Sequence, residues 1–371
     1  MPSTEHQRWM AEALRQARKG FYSTHPNPRV GCVIVRQGEI LGAGWHEYTG
    51  GPHAELNAVT GIEVPPGADF YVSLEPCSHH GRTPPCVDAL IAAAPSRVVV
   101  AMQDPNPEVS GRGLELLRAS GIEVISGVLE AQARELNPGF IKRMEQRMPF
   151  VSIKMALSLD GRSALNNGVS KWITGEAARR DVQFLRARSS AILSSAQTVL
   201  ADNPALDLRL TKAELHQDCE VRHPARVLVD SMLRLSGDEK IFSTTGEIWV
   251  YTCSGDAKAK ARLLDRGALV IELDRDDSGR LSLSTMLEDM ARRGINEVHT
   301  ECGSRLAGAL IEQQLADQLM LYLAPHLLGD QARGGFDLGE LTAMEQRKPC
   351  RICDIRHVGE DLRLTINLNQ D

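Results

Sequence analysis

Hydrophobic and polar positions in the first part of the chain follow two alternating patterns, one of helical period and one of strand period. Apolar residues at helical spacing over residues 9–17 predict a helix that ends at Gly20. Two short apolar runs, 30–35 and 40–44, predict strands, and Gln37-Gly38 between them predicts a hairpin turn. The same patterns predict helices from about His53, from about Cys86 and over 113–119, and strands over 70–74, 98–102 and 122–125. Strands separated by helices indicate an α/β layer fold with a largely parallel sheet.

A polar stretch within residues 137–149 separates this part from a second set of alternating elements. The stretch ends at Pro149 and a new strand begins at Phe150, so we expect one domain over residues 1–147 and a second over residues 148–371. In the second domain the pattern predicts strands over 150–157, 191–194, 226–230, 248–252, 297–301, 319–324 and 361–368, and helices over 176–188, 285–293 and 305–314. Both domains are therefore predicted to be of the α/β class.

Composition narrows the class of protein. The chain has 371 residues, of which 42% are hydrophobic and 24% charged, as is typical of a globular protein of two or three domains. The mean hydropathy is -0.22, and no uninterrupted apolar stretch approaches the ~20 residues that a membrane span needs. The first ten residues contain no apolar core of a signal peptide. We therefore expect a cytoplasmic protein without a membrane partner.

The charge and the cysteine content narrow the class of protein further. The net charge is -6, and the small acidic excess is spread over both halves of the chain, so we expect no nucleic-acid partner. Eight cysteines in a chain of this length are too sparse for a disulfide scaffold, which turns attention to metal binding and catalysis. Cys350 and Cys353, with His357 four residues further on, lack a second ligand pair, so we interpret them as structural.

One histidine, two cysteines and one glutamate form a pattern with a definite chemistry. His53 opens a predicted helix, Cys77 follows a predicted strand, and Cys86 follows two prolines where a helix can begin. One imidazole and two thiolates give Zn²⁺ three ligands and leave a fourth position for water, as a catalytic site requires. Zinc lowers the pKa of that water towards ~7, and Glu55 is placed to carry protons between the water and a leaving amine. We therefore predict one catalytic Zn²⁺ per chain, with Glu55 as the catalytic acid and base.

Two other interpretations of these residues stay open at this point. The nucleobase deaminase signature has two residues between its cysteines, whereas eight residues separate Cys77 from Cys86. A structural zinc site would need a fourth protein ligand, which His79 or His80 would supply. In the other interpretation His53 caps a helix and the two cysteines are unrelated to it.

The residues around this pattern resemble the deaminase half of a family of bifunctional deaminase/reductases of riboflavin biosynthesis. The resemblance is carried by residues 25–31, 44–46 and 75–86. The wide cysteine spacing is that family's own variant. The resemblance implies a cytidine-deaminase-like α/β/α domain, in which Asn27 and His46 contact the heterocycle and Arg82 contacts the substrate. From the residues alone, Asn27 would be a turn residue between prolines and Arg82 a solvated loop charge.

The second domain carries a weaker pattern of its own. Residues 150–310 contain no Gly-x-Gly-x-x-Gly after a strand, so a Rossmann dinucleotide site is not supported. A predicted strand joins a predicted helix within residues 301–306, where backbone N–H groups and Arg305 could receive a phosphate. Most junctions of this kind are only turns, so the pattern alone does not decide the function.

The same family resemblance supplies most of the interpretation of this domain. It is carried by residues 154–162, 170–174 and 179–209. It implies a dihydrofolate-reductase-like α/β domain that binds NADPH without a Rossmann fingerprint. The residues implied to contact NADPH are Ala156, Trp172, Thr198, Asp202, Ser231 and the turn formed by Gly303, Ser304, Arg305, Leu306, Ala307, Gly308 and Ala309. The residues implied to contact a phosphoribosyl substrate are Ser170, Arg186, Leu206, Arg209 and Glu301.

Elementary chemistry is consistent with the substrate assignments. Arg186 and Arg209 are able to grip a phosphate through bidentate hydrogen bonds, and the Glu301 carboxylate is able to accept from sugar hydroxyls. Cys302 stands where the family usually has glycine or alanine. No acid–base residue for the reduction is evident, and Lys154 either stabilises negative charge or is only an edge charge.

The resemblance implies two consecutive steps of riboflavin biosynthesis. Zinc hydroxide would deaminate 2,5-diamino-6-ribosylamino-4(3H)-pyrimidinone 5′-phosphate, and NADPH would then reduce the ribose of 5-amino-6-(5-phosphoribosylamino)uracil to a ribityl chain. We expect small phosphoribosyl pyrimidines as ligands and a homo-oligomeric protein. Two alternatives remain: a tRNA- or nucleotide-editing deaminase with a C-terminal binding module, and a non-enzymatic scaffold stabilised by zinc.

Overall fold

The structure is a computed structural model that describes residues 3–78, 85–107 and 109–368. Contacts divide the chain into two compact units. The first unit comprises Met1–Arg147 and Thr211–Arg222, and the second comprises Met148–Leu210 and His223–Asp371. The segment Thr211–Arg222 thus lies in the first unit, although the sequence pattern placed it in the second domain. No helix within the described ranges has both the length and the apolar character that crossing a membrane demands.

The first unit is a five-stranded sheet with helices on both faces. Its helices are α1 (Thr4–Arg18), α2 (Ala54–Val59), α3 (Cys86–Ala93), α4 (Arg112–Ala119), α5 (Glu130–Leu136) and α6 (Pro138–Gln146). Its strands are β1 (Gly31–Arg36), β2 (Glu39–Trp45), β3 (Asp69–Val72), β4 (Arg97–Val100) and β5 (Glu123–Ser126). The strand order is β2-β1-β3-β4-β5, and β1 runs antiparallel to both β2 and β3 whereas β3, β4 and β5 are parallel.

Alternating side chains give this sheet a core on each face. Tyr71 and Val99 pack with α1, α5 and α6, whereas Phe70 and Val98 pack with α2, α3 and α4. Successive strand residues point to opposite faces, so a strand with apolar residues at every position requires helices on both sides. The α/β/α arrangement follows from that pattern.

The second unit is built on a nine-stranded sheet. Its strands are β6 (Phe150–Ser158), β7 (Arg162–Ala164), β8 (Ala191–Ser195), β9 (Ala225–Val229), β10 (Ile248–Thr252), β11 (Leu269–Glu272), β12 (Glu297–Glu301), β13 (Gln318–Ala324), β14 (Arg333–Gly334), β15 (Arg351–Val358) and β16 (Asp361–Asn367). Its helices are α7 (Glu176–Arg188), α8 (Ala196–Asp202), α9 (Ala257–Asp265), α10 (Leu283–Arg292) and α11 (Ser304–Glu312), with 3₁₀ turns at Lys240–Ser243 and Met344–Gln346. Strands β7 and β14 form a separate small pair.

The order of the large sheet decides where its functional residues meet. The order is β11-β10-β9-β8-β12-β6-β13-β16-β15, with parallel pairing from β11 to β13 and antiparallel pairing in β16 and β15. One face packs on α10 and α11, and the other packs on α8 and α9 towards β11 and on α7 towards β13. The carboxyl ends of parallel strands lie at one edge of a sheet, where α/β proteins bind their ligands. The segments that follow β8, β9 and β12 therefore converge at that edge.

Candidate active sites

The first unit brings the three expected metal ligands together. His53 is the N-cap residue of α2, Cys77 lies in the loop after β3, and Cys86 is the first residue of α3. The His53 Nδ1 atom lies 3.1 Å from Cys86 Sγ and 3.5 Å from Cys77 Sγ. Their ligand atoms all lie within 4.8 Å of one another, and no other such group occurs within residues 3–78, 85–107 and 109–368.

These three atoms fit a zinc ion. Tetrahedral Zn²⁺ with Zn–N and Zn–S bonds of roughly 2.0 and 2.3 Å requires nitrogen–sulfur separations of about 3.5 Å. The observed separations of 3.1 and 3.5 Å are close to that value. One imidazole with two thiolates is a donor set typical of zinc deaminases, and it leaves the fourth position for water. His79 and His80, the possible fourth ligands of a structural site, lie outside the described residues.

The electrostatics of the cluster favour cation binding. The hydrogen bond from the Cys86 thiol, assisted by His53, lowers the pKa of Cys77 to about 4. The hydrogen bond to Cys77 and burial raise the pKa of Cys86, because two thiolates in contact repel each other. The partnership with Cys77 also raises the pKa of His53. Metal ligation requires deprotonated thiolates and a neutral imidazole, so a bound cation would displace protons from these groups.

Glu55 lies beside the ligands in the first turn of α2. It is only 4% exposed, and burial raises the pKa of its carboxyl group, with a further contribution from Cys77. A carboxyl group whose pKa is raised towards neutrality exchanges protons more readily at neutral pH. The position predicted for the catalytic acid and base therefore has the environment that this role needs.

Two glycines in β2 allow α2 to approach the sheet closely. A Cβ on Gly44 would overlap the backbone of Ala54 and Ala58, and a Cβ on Gly42 would overlap the carbonyl of Ala58. Because neither glycine carries a side chain, the first turn of α2 lies directly on the strand. This contact sets the position of the helix start and with it His53 and Glu55.

His46 and Asn27 form a polar wall next to the metal ligands. The His46 ring meets the His53 ring edge to face, with 5.4 Å between centroids. Its Nδ1 atom donates to the Pro52 carbonyl at 3.0 Å, so in the neutral ring Nε2 accepts from the Asn27 amide, also at 3.0 Å. Burial lowers the pKa of His46, which favours that neutral form. Arg82, the third substrate residue expected in this domain, lies outside the described residues.

Glu75 supports the site and was not singled out from the sequence. Its buried carboxylate accepts backbone N–H bonds from Asp104 at 3.1 Å and from Gly111 and Gly113 at 2.9 Å each. These bonds fasten the loop before Cys77 to the start of α4. The sequence showed only a glutamate two residues before a ligand, and its distant backbone partners carry no local signal.

In the second unit, several residues expected to contact NADPH lie at the ligand-binding edge of the sheet. Thr198 lies in α8 directly after β8, Ser231 follows β9, and Gly303 follows β12. Ala156 lies near the end of β6, the neighbour of β12. The Thr198 hydroxyl accepts from the Gly303 N–H at 3.2 Å, which joins two of these loops. Gly303 is exposed at the N-terminus of α11, where the first N–H groups of a helix have no partner within the helix.

The expected cofactor turn divides into an open part and a buried part. Gly303 and Arg305 are exposed, and Ser304, Leu306 and Ala309 are partly exposed. Ala307 is fully buried in the core, and a Cβ on Gly308 would overlap the Asp337 carbonyl. The side chain of Ala307 and the Cα of Gly308 thus face the protein interior, and the expected contact of this turn with NADPH stays a prediction. The open start of α11 fits an anionic cofactor group.

Trp172 and Asp202 lie on one side of the ligand-binding edge of the large sheet. The Trp172 ring is 70% exposed, and the Arg179 guanidinium stacks on it with 4.5 Å to the ring centroid. The preceding Lys171 donates from its ammonium group to the backbone carbonyl of Asp202 at 3.0 Å. An exposed indole held next to a helix terminus offers a flat surface for stacking.

Arg186 and Glu301 form a nearly buried ion pair. Arg186 Nε donates to Glu301 Oε1 at 2.6 Å, and its Nη2 donates to Oε2 at 2.9 Å. Burial opposes ionisation of Glu301, but Arg186 and His299 hold the pKa of that carboxyl group well below its usual range. The bidentate edge of Arg186 thus pairs with Glu301, and the expected contact of Arg186 with the substrate stays a prediction.

The other residues expected to contact the substrate differ in how far their side chains are exposed. The Arg209 side chain is 66% exposed, with Nε 3.8 Å from an Asp207 carboxylate oxygen. Leu206 is 4% exposed and its side chain belongs to the core, so only its backbone is able to meet a ligand. Ser170 is half-buried in the loop before Trp172. Among these three residues, Arg209 is therefore the one with an exposed charged group.

Lys154 lies next to Glu301 on the neighbouring strand. The two residues are paired in the register of β6 and β12. Burial lowers the pKa of Lys154, with Arg186 acting in the same direction and Glu301 against it. Its ammonium group lies 5.9 Å from the centre of the Tyr322 ring. The reductase edge therefore contains a lysine beside a carboxylate whose pKa is held well below its usual range.

The remaining cysteines do not form a second metal centre in the described chain. Cys350 and Cys353 are exposed free thiols, and they join no group of three potential ligands among the residues that the structure describes. Burial raises the pKa of Cys302 to about 12, so this thiol stays protonated beside the open start of α11.

Comparisons with known proteins match both units. A family model described as "Cytidine and deoxycytidylate deaminase zinc-binding region" matches residues 3–102. A second, described as "RibD C-terminal domain", matches residues 149–364. The riboflavin biosynthesis protein RibD of Escherichia coli (strain K12) is 45% identical over 362 residues, which cover 96% of this chain and 97% of the relative.

Solved structures agree over the full length. Form 1 of Acinetobacter baumannii RibD superposes with a TM-score of 0.91 at 40% identity, over 99% of each chain. A diaminohydroxyphosphoribosylaminopyrimidine deaminase/5-amino-6-(5-phosphoribosylamino)uracil reductase from Thermotoga maritima superposes with a TM-score of 0.86 at 34% identity, over 98% of each chain. The prediction of two α/β domains, a deaminase-like one followed by a reductase one, is confirmed.

Proposed function

The chain belongs to the RibD family of riboflavin biosynthesis proteins, and on that basis we propose that it catalyses a zinc-dependent deamination followed by an NADPH-dependent reduction. The deaminase substrate is 2,5-diamino-6-ribosylamino-4(3H)-pyrimidinone 5′-phosphate, and the reductase substrate is 5-amino-6-(5-phosphoribosylamino)uracil. Residues 1–147 carry the deaminase and residues 148–371 the reductase. The observation that carries the proposal is the three-ligand cluster of His53, Cys77 and Cys86 beside the buried Glu55.

In the deaminase site each residue has a separate task. His53, Cys77 and Cys86 hold Zn²⁺, which when bound supplies the Lewis acid that activates water. Glu55 takes a proton from the attacking water and delivers one to the departing amino group. A bond from oxygen to the ring carbon forms, the bond to the amino nitrogen breaks, and ammonia leaves. Asn27 and His46 hold the heterocycle, since their polar atoms line the wall next to the ligands.

In the reductase site the protein orients two ligands at the carboxyl edge of the sheet. NADPH, when bound, supplies the hydride. Thr198, Ser231 and the open start of α11 hold its anionic groups, and Trp172 and Asp202 flank it. The ionised Glu301 accepts hydrogen bonds from the ribose hydroxyls, and Arg209 binds the phosphate. Lys154 faces the same carboxylate and supplies positive charge where the opened sugar develops negative charge.

The proposal is tested by incubating the protein with the diaminopyrimidinone ribotide and following the products by mass. Without NADPH, the expected product carries oxygen in place of the ring amino group. With NADPH, it has gained two hydrogens as well, and NADPH absorbance falls. No deamination by the zinc-loaded protein would overturn the deaminase assignment. The alternative of an editing deaminase with a binding module is disfavoured by the match to the RibD C-terminal domain and predicts no NADPH oxidation.

The homo-oligomer expected from the family resemblance has a candidate surface at β15. This strand ends the large sheet and pairs only with β16 in the part of the chain that the structure describes. A register irregularity between Ile352 and Asp354 puts Ile352 and Ile355 on one face, where they are 53% and 59% exposed. Antiparallel pairing of two copies about Ile355 would bring Asp354 of each opposite Arg356 of the other. Exposed apolar side chains and complementary charges on an edge strand favour a second copy as the partner.

A further inference from the structure

Helix α7 holds the segment that carries Arg209. We propose that Gln183 is a positioning residue of the reductase, which fixes the backbone at Arg209 so that its guanidinium meets the phosphate of the substrate. The inference rests on the proposed function, in which Arg209 binds that phosphate. Gln183 itself does not touch the substrate.

Two side chains of α7 make the contact. Gln183 Oε1 accepts the Arg209 N–H at 2.9 Å, and Arg186 Nη1 donates to the Asp207 carbonyl at 2.6 Å. Gln183 and Arg186 are three residues apart and therefore lie on the same face of the helix. Gln183 is only 5% exposed, and a buried amide oxygen needs a hydrogen-bond partner. Helix α7 thus forms hydrogen bonds with the backbone of the segment at Asp207 and Arg209.

The segment has little other support for its backbone. Residues 204–210 belong to no helix or strand, and among the described residues no further hydrogen bond reaches their backbone. Leu206, Leu208 and Leu210 are buried, and the side chains of Asp207 and Arg209 between them are more exposed. Apolar anchoring holds the leucines, but the hydrogen bonds from α7 determine where the exposed positions lie.

Arg209 is the residue that depends most on this support. Its side chain is 66% exposed, and Gln183 binds the backbone N–H of the same residue. Arg186 cannot replace it, because its guanidinium is bound to Glu301 on one edge and to the Asp207 carbonyl on the other. Without the hydrogen bond to Gln183, the backbone at Arg209 would be less constrained, and the Arg209 guanidinium would be free to move away from the phosphate.

The test compares Gln183→Met with Arg209→Ala, with Gln313→Met at an exposed glutamine as the matched control. Methionine has nearly the size of glutamine but no acceptor oxygen. We expect Gln183→Met to raise KM for the phosphorylated substrate roughly three- to tenfold, the effect of one lost neutral hydrogen bond, with kcat nearly unchanged. NADPH binding and the thermal midpoint should stay near the wild-type values. The phosphate-free riboside, titrated as a competitive inhibitor, should bind both variants as it binds the wild type.

The double variant separates positioning from a structural role. If Gln183 acts through Arg209, Gln183→Met adds nothing to the KM effect of Arg209→Ala. Equal weakening of the ribotide and the riboside, or multiplied effects in the double variant, would overturn the inference. An effect of Arg209→Ala without any effect of Gln183→Met would overturn it as well. No effect of Arg209→Ala on KM would instead show that the proposed phosphate contact is wrong, and the inference would fall with it.

Discussion

Replacing Glu55 by glutamine should abolish deamination while leaving zinc and the reductase in place. Glu55 is not a ligand, since the ligand atoms belong to His53, Cys77 and Cys86. Glutamine is nearly isosteric with glutamate, so the buried pocket in the first turn of α2 should keep its packing. The amide cannot carry a proton between water and the departing amine.

The magnitude follows from the number of proton transfers that one buried group performs. General acid–base assistance is typically worth ~10²–10⁴ in rate. Glu55 is the buried carboxylate beside the three ligands, and in the proposed mechanism this one carboxyl group both accepts and returns a proton. We therefore expect a loss at or above ~10⁴-fold in kcat, which corresponds to about 5.4 kcal/mol of transition-state stabilisation.

The assay measures three quantities in one preparation: zinc content, ammonia release from the diaminopyrimidinone ribotide, and NADPH oxidation with the deaminated ribotide. Glu63→Gln, at an exposed position after α2, is the matched control and should leave all three unchanged. Ammonia release within tenfold of the wild-type rate in a zinc-loaded Glu55→Gln variant would refute the role of Glu55. NADPH oxidation with neither ribotide, in a folded variant that holds zinc, would refute the independence of the two activities.

The remaining predictions concern the metal, the buried ion pair and the edge strand. Cys86→Ser should lose zinc and deaminase activity together, because a hydroxyl is a poor substitute for a thiolate, and full zinc content by metal analysis would contradict the ligand set. Arg186→Ala should destabilise the second unit by about 3–5 kcal/mol in urea denaturation, since it removes the bidentate partner of the nearly buried Glu301; unchanged stability would contradict the pairing. Asp354→Arg should dissociate the oligomer, and the further change Arg356→Asp should restore it, as measured by sedimentation. A wild-type protein that sediments as a monomer would refute the β15 interface.

Much of the first unit could be predicted from local sequence signals. The helix start near His53 was predicted from the hydrophobic pattern and the one near Cys86 with the help of the preceding prolines, and α2 and α3 begin at Ala54 and Cys86. The metal ligands follow from residue type and position relative to these starts. The convergence of the three ligands at one point could not be predicted, because it depends on the close approach of α2 to Gly44, which only the packed structure reveals.

The second unit was less predictable for a physical reason. Strand β11 and helices α8 and α9 were not predicted, since their apolar positions are few and their patterns short. The pairing of Arg186 with Glu301 joins residues 115 positions apart, and no local pattern indicates it. The sequence therefore predicted a substrate contact for Arg186 but not its ion pair with Glu301.

Glu55 and Glu301 show how identical chemical groups come to suit different roles in the two proposed sites. Burial of Glu55 outweighs the opposing effect of His53 and raises the pKa of its carboxyl group. Glu301 is nearly buried, with 14% of its side chain exposed, but Arg186 and His299 outweigh burial and hold its pKa well below the usual range. A carboxyl group with a raised pKa is able to take and return protons near neutral pH, whereas a permanently ionised one only accepts hydrogen bonds. The environment of each carboxylate therefore supports its proposed role, which is proton transfer for Glu55 in the deaminase site and sugar binding for Glu301 in the reductase site.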